Sequence, residues 1–460
     1  MSGHDATVIG SGPNGLSAAL TLQRAGLKVL VVDLHEQPGG AARTMELTLP
    51  GFRHDLCSTI HPMARTSPAF EGLDIDWVEP TVELAHPLDD APAAVLHRDL
   101  RTTAEDLDDP SWEAAFAPYV HRWKELSADA MGRPGLPSSP LLMARFGINA
   151  PLSSRQWASR LKTERARALY AGVAAHGVVP FDNLASSPIG VMLSVVGHAS
   201  GWPFPRGGAQ AITDALLADY LAEGGSIELG RRIERLDEVE GTVFFCTSPR
   251  AMEAICGDGL PSGYRKSLRS YRHGPGIFKM DWALSEPVPW TDAACRGAAC
   301  LHLGGNLEEL AVGEAQCWRN EIPDSPYVLA AQHTLFDDTR APLGKHTLWA
   351  YCHTPRGSEV DMTDAIEDQI ERFAPGFRDC VLARSTKTCA EMEAINPNQV
   401  GGDVNGGEAS WDQLLTRPAA RLNPYSTPNR RVWICSAATP PGGGVHGLGG
   451  YHAASAFLGR

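Results

Sequence analysis

The N-terminal part of the chain alternates between apolar runs and short polar or glycine-rich breaks. An apolar run at residues 6–9 ends in Gly10, a helix-like stretch spans 16–22, and a second apolar run at 28–32 ends in Asp33. Short apolar runs bounded by turn residues predict buried strands, and a stretch with helical spacing between them predicts a crossover helix. The order of strand, glycine turn, helix, strand and acid therefore predicts a βαβ unit.

The rest of the chain contains patterns that predict further strands and helices. Length and alternation predict strands at 226–229, 242–246, 277–284, 327–332, 346–353 and 431–435. Helical spacing predicts helices at 212–221, 363–373 and 451–458. The pattern over 111–198 predicts several helices broken at Pro134, Pro137, Pro151 and Pro188. At 460 residues the chain is long enough for two to three domains.

The glycines of the first turn suit a dinucleotide pyrophosphate. Gly10 permits the tight turn, Gly12 lets the backbone approach a pyrophosphate, and Gly15 lets the helix lie close to the strand. The helix N-terminus offers free N–H groups and the positive end of a dipole, and Asp33 is an acceptor for ribose hydroxyls. The dinucleotide-binding residues predicted here are Gly10, Gly12, Pro13, Asn14, Gly15, Asp33 and Leu34.

A second glycine pair favours FAD over NAD as the dinucleotide. Gly39, Gly40 and Ala41 begin six residues after Asp33, and Arg43 follows them. A plain NAD-binding fold does not need this turn, whereas in FAD enzymes it passes over the pyrophosphate and lets a cation such as Arg43 reach the phosphates. The alternative is an ordinary loop after a strand.

A third glycine-dense segment lies near the C-terminus and leads into a short helix. Residues 442–450 cannot form an independent Rossmann site, because no strand and no acid follow them. Backbone N–H groups feeding a helix N-terminus suit the pyrimidine edge of an isoalloxazine, which gains negative charge on reduction. The flavin-binding residues predicted here are Gly442, Gly443, Gly444, Val445 and His446. The alternative is a flexible C-terminal loop.

Composition narrows the partners and the compartment. The formal charge of −14 argues against nucleic acid, because phosphate binding needs clustered cations. Ten cysteines without a C-x-x-C pair predict buried thiols in a reducing compartment. The sequence Met1-Ser2-Gly3-His4 leads directly into the first strand without a signal peptide, and no run approaches 18 apolar residues. We therefore expect a cytoplasmic protein, with peripheral contact to a membrane left open.

Together these glycine segments resemble the phytoene desaturase-like branch of the FAD-dependent amine oxidase superfamily. The same resemblance is carried by residues 51–62, 279–284, 287–290, 346–353, 396–398 and 401–403. The sequence is similar to NAD(P)/FAD-dependent oxidoreductases of the group that contains the pyridine nucleotide-disulfide oxidoreductase domain protein. Gly449 stands where similar sequences often carry cysteine, so no mechanism should depend on a thiol there.

The resemblance implies an α/β fold: a Rossmann-type FAD-binding domain of the GR2-like flavoprotein kind, with a second α+β substrate domain on a mixed sheet. We expect the discontinuous FAD-binding domain at residues 1–70, 202–255 and 415–460. We expect the substrate-binding domain at 71–201 and 256–414. The resemblance also implies that a backbone group near Ile233 contacts adenine. FAD is the expected cofactor, and no metal is expected because the sixteen histidines show no metal spacing.

The chemistry beyond the flavin is less constrained by the sequence. His446 is the leading catalytic candidate because its glycine loop should face the ring, although a loop histidine bonded only to backbone fits equally well. His61 is the second candidate, and Asp281 and His302 are weaker ones. The favoured reaction is dehydrogenation of a carbon–carbon bond in an apolar or natural-product-type small molecule, by hydride transfer to flavin N5.

Two alternatives remain open: oxidation of a C–N bond in an amine or amino acid, and a flavin-bound interaction protein with little turnover. A long apolar tunnel would favour the first reaction, a small aromatic-walled pocket the amine oxidase, and a sealed cavity the interaction protein. The electron acceptor is O2, a quinone or NAD(P), and the oligomeric state is not determined by the sequence.

Overall fold

The computed structural model describes residues 3–460; Met1 and Ser2, with which the predicted FAD-binding domain begins, lie outside the described residues. The strands in chain order are β1 (Ala6–Ile9), β2 (Val29–Val32), β3 (Thr44–Glu46), β4 (Arg53–Asp55), β5 (Trp77–Val78), β6 (Leu84–His86), β7 (Ala94–Leu96), β8 (Phe204–Pro205), β9 (Ser226–Glu228), β10 (Thr242–Phe245), β11 (Gly276–Leu284), β12 (Cys300–Leu303), β13 (Val328–Ala331), β14 (His346–Thr354), β15 (Val381–Lys387) and β16 (Val432–Ile434).

Five strands form a parallel sheet in the order β16-β10-β1-β2-β9. Strands β1 and β2 are buried along their whole length, which is why their sequences are continuous apolar runs. All five strands come from the three stretches predicted to build the FAD-binding domain. The Rossmann-type α/β class is therefore confirmed, while the exact domain boundaries stay a prediction.

Seven strands form a second sheet in the order β15-β11-β14-β13-β12-β6-β7. The pair β12–β6 is parallel and the other pairs are antiparallel, so the sheet is mixed as expected. The nine-residue strands β11 and β14 are its longest and pair along their whole length, with Gly276 opposite Thr354 and Leu284 opposite His346. Strand β6 and the edge strand β7 are short, and the apolar pattern of the sequence did not predict them.

The helices surround the two sheets. In chain order they are α1 (Pro13–Arg24), α2 (Leu100–Asp106), α3 (Pro110–Val120), α4 (Trp123–Ala130), α5 (Pro140–Asn149), α6 (Ser154–Ala158), α7 (Glu164–Ala174), α8 (Ser187–Ala199), α9 (Gln210–Ala222), α10 (Pro249–Cys256), α11 (Ser262–Arg269), α12 (Ala293–Arg296), α13 (Leu307–Trp318), α14 (Thr363–Phe373), α15 (Cys389–Ile395), α16 (Trp411–Thr416) and α17 (Leu448–Phe457).

Some sequence expectations need correction in the helical region. Pro188 does not break a helix but lies in the first turn of α8, where a missing N–H is tolerated. Leu260, Tyr264 and Leu268 pack into the core of the parallel sheet, so α11 accompanies that sheet although it follows residue 255. None of the helices between residues 3 and 460 has the length and apolar content needed to cross a membrane. The cytoplasmic location stays a prediction.

Candidate cofactor and substrate site

A cavity of about 640 Å³ lies at the carboxyl ends of the parallel strands. Gly10 after β1, Asp33 after β2, Cys246 after β10 and Ser436 after β16 all line it. Ligands of open α/β sheets bind in this crevice, because strand order reverses there and loops on the two sides diverge. The cavity continues from this edge to the mixed sheet.

The glycine turn before α1 has the backbone geometry of a phosphate-binding turn. Gly10 adopts a φ of +107°, which L side chains rarely adopt. A Cβ atom on Gly15 would lie 1.9 Å from the carbonyl oxygen of Gly10, so only glycine allows the helix to approach the strand this closely. No side chain caps the N-terminus of α1, and Gly12, Pro13 and Asn14 line the cavity. The free N–H groups of the first turn thus remain available to an anion.

Asp33 is buried at the end of β2 and already has three protein donors. Its Oδ2 atom accepts from the backbone N–H of Ser11 at 2.7 Å and from the Ser11 hydroxyl at 2.6 Å. Its Oδ1 atom accepts from the N–H of His35 at 2.8 Å. The carboxylate lines the cavity with lone pairs still free, and it also fixes the turn between Gly10 and Gly12. The neighbouring Leu34 lines the cavity too.

The second glycine pair is divided between the cavity wall and the loop interior. Gly40 and Ala41 line the cavity, whereas Gly39 and Arg43 do not. The Arg43 guanidinium is buried, where its Nε donates to the carbonyl of Gly40 at 2.9 Å and its Nη2 to the carbonyl of Ile395 at 3.1 Å. The Arg43 side chain was expected to reach the phosphates. Here it instead donates to two backbone carbonyls outside the cavity and stabilises the loop.

Two arginines that the sequence did not indicate line the cavity near Asp33. Arg231 and Arg232 follow β9 and precede Ile233, which is buried on the same wall. The backbone N–H and carbonyl of Ile233 make no hydrogen bond to another residue within 3–460. That leaves both groups free, as the expected adenine contact requires. No signal in the sequence pointed to the arginines, because strand β9 is short and partly exposed.

The C-terminal glycine loop forms the opposite wall of the cavity. Gly442, Gly443, Gly444, Val445 and His446 all line it. Across the described residues, the backbone N–H groups of these five positions donate no hydrogen bond. Gly442 and Gly444 have φ values of +116° and +117°, while Gly443 has no positive φ. Five consecutive N–H donors without protein partners, on residues that line one cavity, are the arrangement predicted for an electron-rich ring edge.

His446 is held as a structural residue of this loop. Its Nδ1 accepts from the N–H of Leu448 at 3.1 Å, and its Nε2 lies 3.3 Å from the carbonyl oxygen of Gly443. Burial lowers the pKa of His446 to about 4. Since both ring nitrogens have backbone partners, the geometry favours the backbone-bonded alternative over a proton-transfer role for His446.

His61 lies on the cavity wall with one ring nitrogen unpartnered. Its Nε2 is 3.1 Å from the hydroxyl of Ser58, and its buried Nδ1 has no hydrogen-bond partner within residues 3–460. Burial lowers the pKa of His61 to about 4, so the ring is neutral near pH 7. The catalytic role of His61 stays a prediction. Asp281 is bonded to Lys279 away from the cavity, and His302 lies behind the wall.

The remaining walls come from segments that the sequence did not assign to the site. Apolar side chains of helices α5 and α8 and of the turn after α4 form the roof: Met131, Phe146, Ile189, Met192 and Leu193. Trp349 and Tyr351 on β14 form an aromatic floor, with ring centroids 5.3 Å apart. Among the described lining residues Asp33 is the single carboxylate.

These residues fit a bound FAD. The phosphate-binding turn, the free backbone of Ile233 and the five free N–H groups of residues 442–446 follow one another along a single continuous cavity. A side chain at Gly15 would clash with the turn at Gly10–Gly15, so the turn depends on glycine there. The cavity volume lies within the range of small-molecule and cofactor pockets.

Comparison with known proteins also indicates an oxidoreductase with a Rossmann-type domain. Residues 8–73 match the family model of the NAD(P)-binding Rossmann-like domain. The chain is 24% identical to pyridine nucleotide-disulfide oxidoreductase domain-containing protein 2 of Rattus norvegicus, over 98% of this chain and 92% of that protein. It is 25% identical to phytoene dehydrogenase of Streptomyces griseus, over 82% of this chain and 77% of the other.

A solved structure extends the likeness to the whole fold. Cyclohexylamine oxidase from Brevibacterium oxydans has the same fold with a TM-score of 0.60, at 15% identity and with 100% of both chains covered. The resemblance predicted from the glycine segments is therefore confirmed: the chain is similar to a phytoene dehydrogenase over most of its length and has the Rossmann-type fold of an oxidoreductase, a likeness that supports FAD as the cofactor.

Proposed function

We propose that this protein dehydrogenates a carbon–carbon bond of a neutral, apolar small molecule. The observation that carries the proposal is the composition of the cavity beyond the cofactor residues. Its roof is aliphatic and aromatic, and the single lining carboxylate, Asp33, lies at the Rossmann end beside Ser11. An apolar substrate would gain about 25 cal/mol for each Å² of apolar surface that it buries against this roof.

The relatives support a substrate of this kind. The relative from Streptomyces griseus is named for the dehydrogenation of phytoene, a hydrocarbon. A hydrocarbon offers no charge or hydrogen-bond donor, so it must be held by shape and apolar contact alone. The roof formed by Met131, Phe146, Ile189, Met192 and Leu193 is suited to that task, since methionine side chains adapt to irregular apolar shapes.

Residues of this chain would hold FAD along the cavity. The turn at Gly10–Gly15 would hold the pyrophosphate, Asp33 the ribose, and the backbone of Ile233 the adenine. The N–H groups of residues 442–446 would hold the ring edge that becomes negative on reduction. When bound, FAD supplies a hydride acceptor. The protein positions the donor carbon over the ring, excludes water through its apolar roof, and takes up the proton that leaves the neighbouring carbon.

Oxidation of an amine is the second candidate, and one observation favours it. Trp349 and Tyr351 place two aromatic rings on the cavity floor, where they could face an amine. A protonated amine also needs an anionic partner when it leaves water. The substrate end of the described lining offers none, which is why the neutral substrate is preferred.

Anaerobic reduction of the bound flavin distinguishes the two candidates. We expect the purified protein to be yellow, to release FAD on denaturation, and to lose its flavin absorbance with neutral isoprenoid hydrocarbons. The product should be two hydrogens lighter by mass spectrometry. Bleaching by primary amines with formation of an aldehyde, and none by hydrocarbons, would overturn the proposal in favour of C–N oxidation.

A further inference from the structure

Three histidines form a file that begins at the cavity wall with a half-buried ring and continues behind the wall with two buried ones. His176 lies in the short turn after α7 and lines the cavity. Its Nε2 is 3.0 Å from the Nε2 of His302 on β12. His86 on the neighbouring strand β6 donates through Nε2 to the carbonyl oxygen of Gly305 at 2.6 Å. The three side chains thus extend from a cavity residue to the backbone carbonyl of Gly305.

The two strands and one glycine bring the inner pair together. Leu301 of β12 is opposite Ala85 of β6 in a parallel pairing, so His302 and His86, each one residue later, lie on the same face of the sheet. A Cβ atom on Gly172 of α7 would lie 2.9 Å from the Nδ1 of His302 and 2.6 Å from the Nδ1 of His86. Both Nδ1 atoms thus lie beside the same point, and neither has a hydrogen-bond partner within the described chain, each other included.

The Gly305 carbonyl determines which ring nitrogen of each histidine in the file carries the proton. A carbonyl oxygen accepts only, so the Nε2 of His86 carries a proton and its Nδ1 is a lone pair. Two lone pairs beside the same buried point would repel each other, so the Nδ1 of His302 is its protonated nitrogen and its Nε2 is the acceptor. His176 must donate to that acceptor through its own Nε2. Its Nδ1, which bonds to no described residue, is left as a lone pair on a residue of the cavity wall.

We propose that His176 is the catalytic base that takes the substrate proton, with His302 and His86 as positioning residues: His302 holds His176 in one tautomer, and His86 sets the tautomer of His302. This inference rests on the proposed dehydrogenation. That reaction removes two hydrogens from neighbouring carbons, one as hydride, the chemistry that bound FAD supplies, and one as a proton. The electron pair of the second C–H bond becomes the π bond, and its proton goes to the Nδ1 of His176.

The remaining proton movement follows the hydrogen bond that joins the first two histidines. The Nε2 proton of His176 moves to the Nε2 of His302, and the positive charge then rests on His302. The lone pair on the Nδ1 of His86 lies beside the Nδ1 proton of His302 and stabilises that charge.

A metal site or a purely structural cluster fits the three histidines less well than a proton relay. No group of three side chains in residues 3–460 has an arrangement that could hold a metal ion, so the trio is not a metal site. A purely structural cluster would satisfy its buried nitrogens, yet the Nδ1 atoms of His302 and His86 have no partner in the described chain. Alternating donors and acceptors ending at a cavity lone pair are what proton uptake requires.

Nitrogen NMR of the FAD-loaded protein tests the direction of the file without any substrate. With ¹⁵N-labelled histidine, His176 should be neutral and protonated on Nε2 near neutral pH. In His302→Phe, which keeps a ring of similar shape without nitrogens, it should become a tautomer mixture. Protonation of His176 on Nδ1 in the parent, or an unchanged His176 in His302→Phe, would overturn the relay. This result is independent of whether the proposed reaction is correct.

Stopped-flow flavin reduction tests the catalytic role. His176→Gln should slow reduction by a bleaching hydrocarbon about 100-fold or more at unchanged FAD content. His121→Gln, at an exposed position outside the cavity, should keep the parent rate. A parent rate in His176→Gln would remove His176 as the base while leaving the dehydrogenation intact. If no hydrocarbon reduces the parent flavin, the proposed function fails, and the NMR result alone decides whether the polarised file exists.

Discussion

The side-chain oxygen of Asn14 accepts a hydrogen bond from the backbone N–H of Gly449 at 3.1 Å, across 435 positions of sequence. The contact joins the first turn of α1 to the first turn of α17. A Cβ atom on Gly450 would lie 1.7 Å from the carbonyl oxygen of Asn14, so the two helices approach at their glycines. The phosphate-binding turn and the flavin loop are thus parts of one packed unit.

Replacement of Asn14 should separate folding from cofactor binding. Asn14→Ala leaves the buried N–H of Gly449 without a partner, which should lower the free energy of unfolding by about 1–3 kcal/mol. Asn14→Asp keeps an acceptor for Gly449 but adds a carboxylate beside the expected phosphates, so it should mainly weaken FAD binding. Urea unfolding and FAD titration of the two variants measure these effects. Equal stability of Asn14→Ala and the parent would contradict the role of the contact.

Asp33→Ala should weaken FAD retention more than it changes the flavin spectrum. The carboxylate lies at the Rossmann end of the cavity, and one lost charge-assisted hydrogen bond is worth about 1.5–3 kcal/mol, or roughly a 10- to 150-fold loss of affinity. The variant also removes the acceptor for the backbone N–H groups of Ser11 and His35, so a modest decrease in the free energy of unfolding should accompany it. Glu36→Ala, at an exposed neighbour, is the control. Unchanged FAD affinity in Asp33→Ala would refute the assignment.

A side chain at Gly443 should disturb the flavin loop for a reason that the sequence did not reveal. Gly443 does not have a positive φ, so backbone strain is not the cause. A Cβ atom there would lie 2.7 Å from the carbonyl oxygen of Asn405, and overpacking of this kind costs about 1–3 kcal/mol. Gly443→Val should therefore lower FAD occupancy, measured by absorbance. Gly263→Ala, where a Cβ meets nothing within 4 Å, should have no effect.

Deletion of residues 442–460 should abolish flavin binding, and the structure adds that it should also destabilise the fold. Ala453 and Ala454 of α17 belong to the buried core shared with α1 and the parallel sheet. Removing them exposes that core, so we expect poor recovery of folded protein on gel filtration. A truncated protein that folds and stays yellow would show that the tail is no part of the cofactor site.

The free energy of unfolding should fall as the pH drops from neutral into the mildly acidic range. Burial lowers the pKa of His61, His198 and His446 to about 4, below the unfolded value of 6.5. Between these values the unfolded chain binds more protons than the folded one, so stability is lost as pH falls. Each such histidine contributes up to about 1.4 kcal/mol per pH unit. Chemical unfolding at a series of pH values across this window measures the slope, and a flat profile would contradict these burials.

The strand–glycine–helix–strand unit, the FAD class and the C-terminal loop could all be predicted from the sequence. These features are local: Gly10, Gly15 and Asp33 act through backbone geometry over a few residues, and a buried parallel strand needs an apolar run wherever it lies. The same reasoning located strands β11 and β14 to within one residue at each end.

Which side chains face the cavity depends on the tertiary structure. Arg43 looked like a phosphate ligand and is tied to the carbonyls of Gly40 and Ile395, because a long side chain takes whatever acceptors its neighbours present. The sequence left open whether His446 is catalytic or bonded to backbone, and the structure bonds it at both nitrogens, whereas His176, which carried no motif, lies on the wall and contacts His302. Contacts between residues more than a hundred positions apart depend on how sheets and helices pack, and no local pattern encodes them.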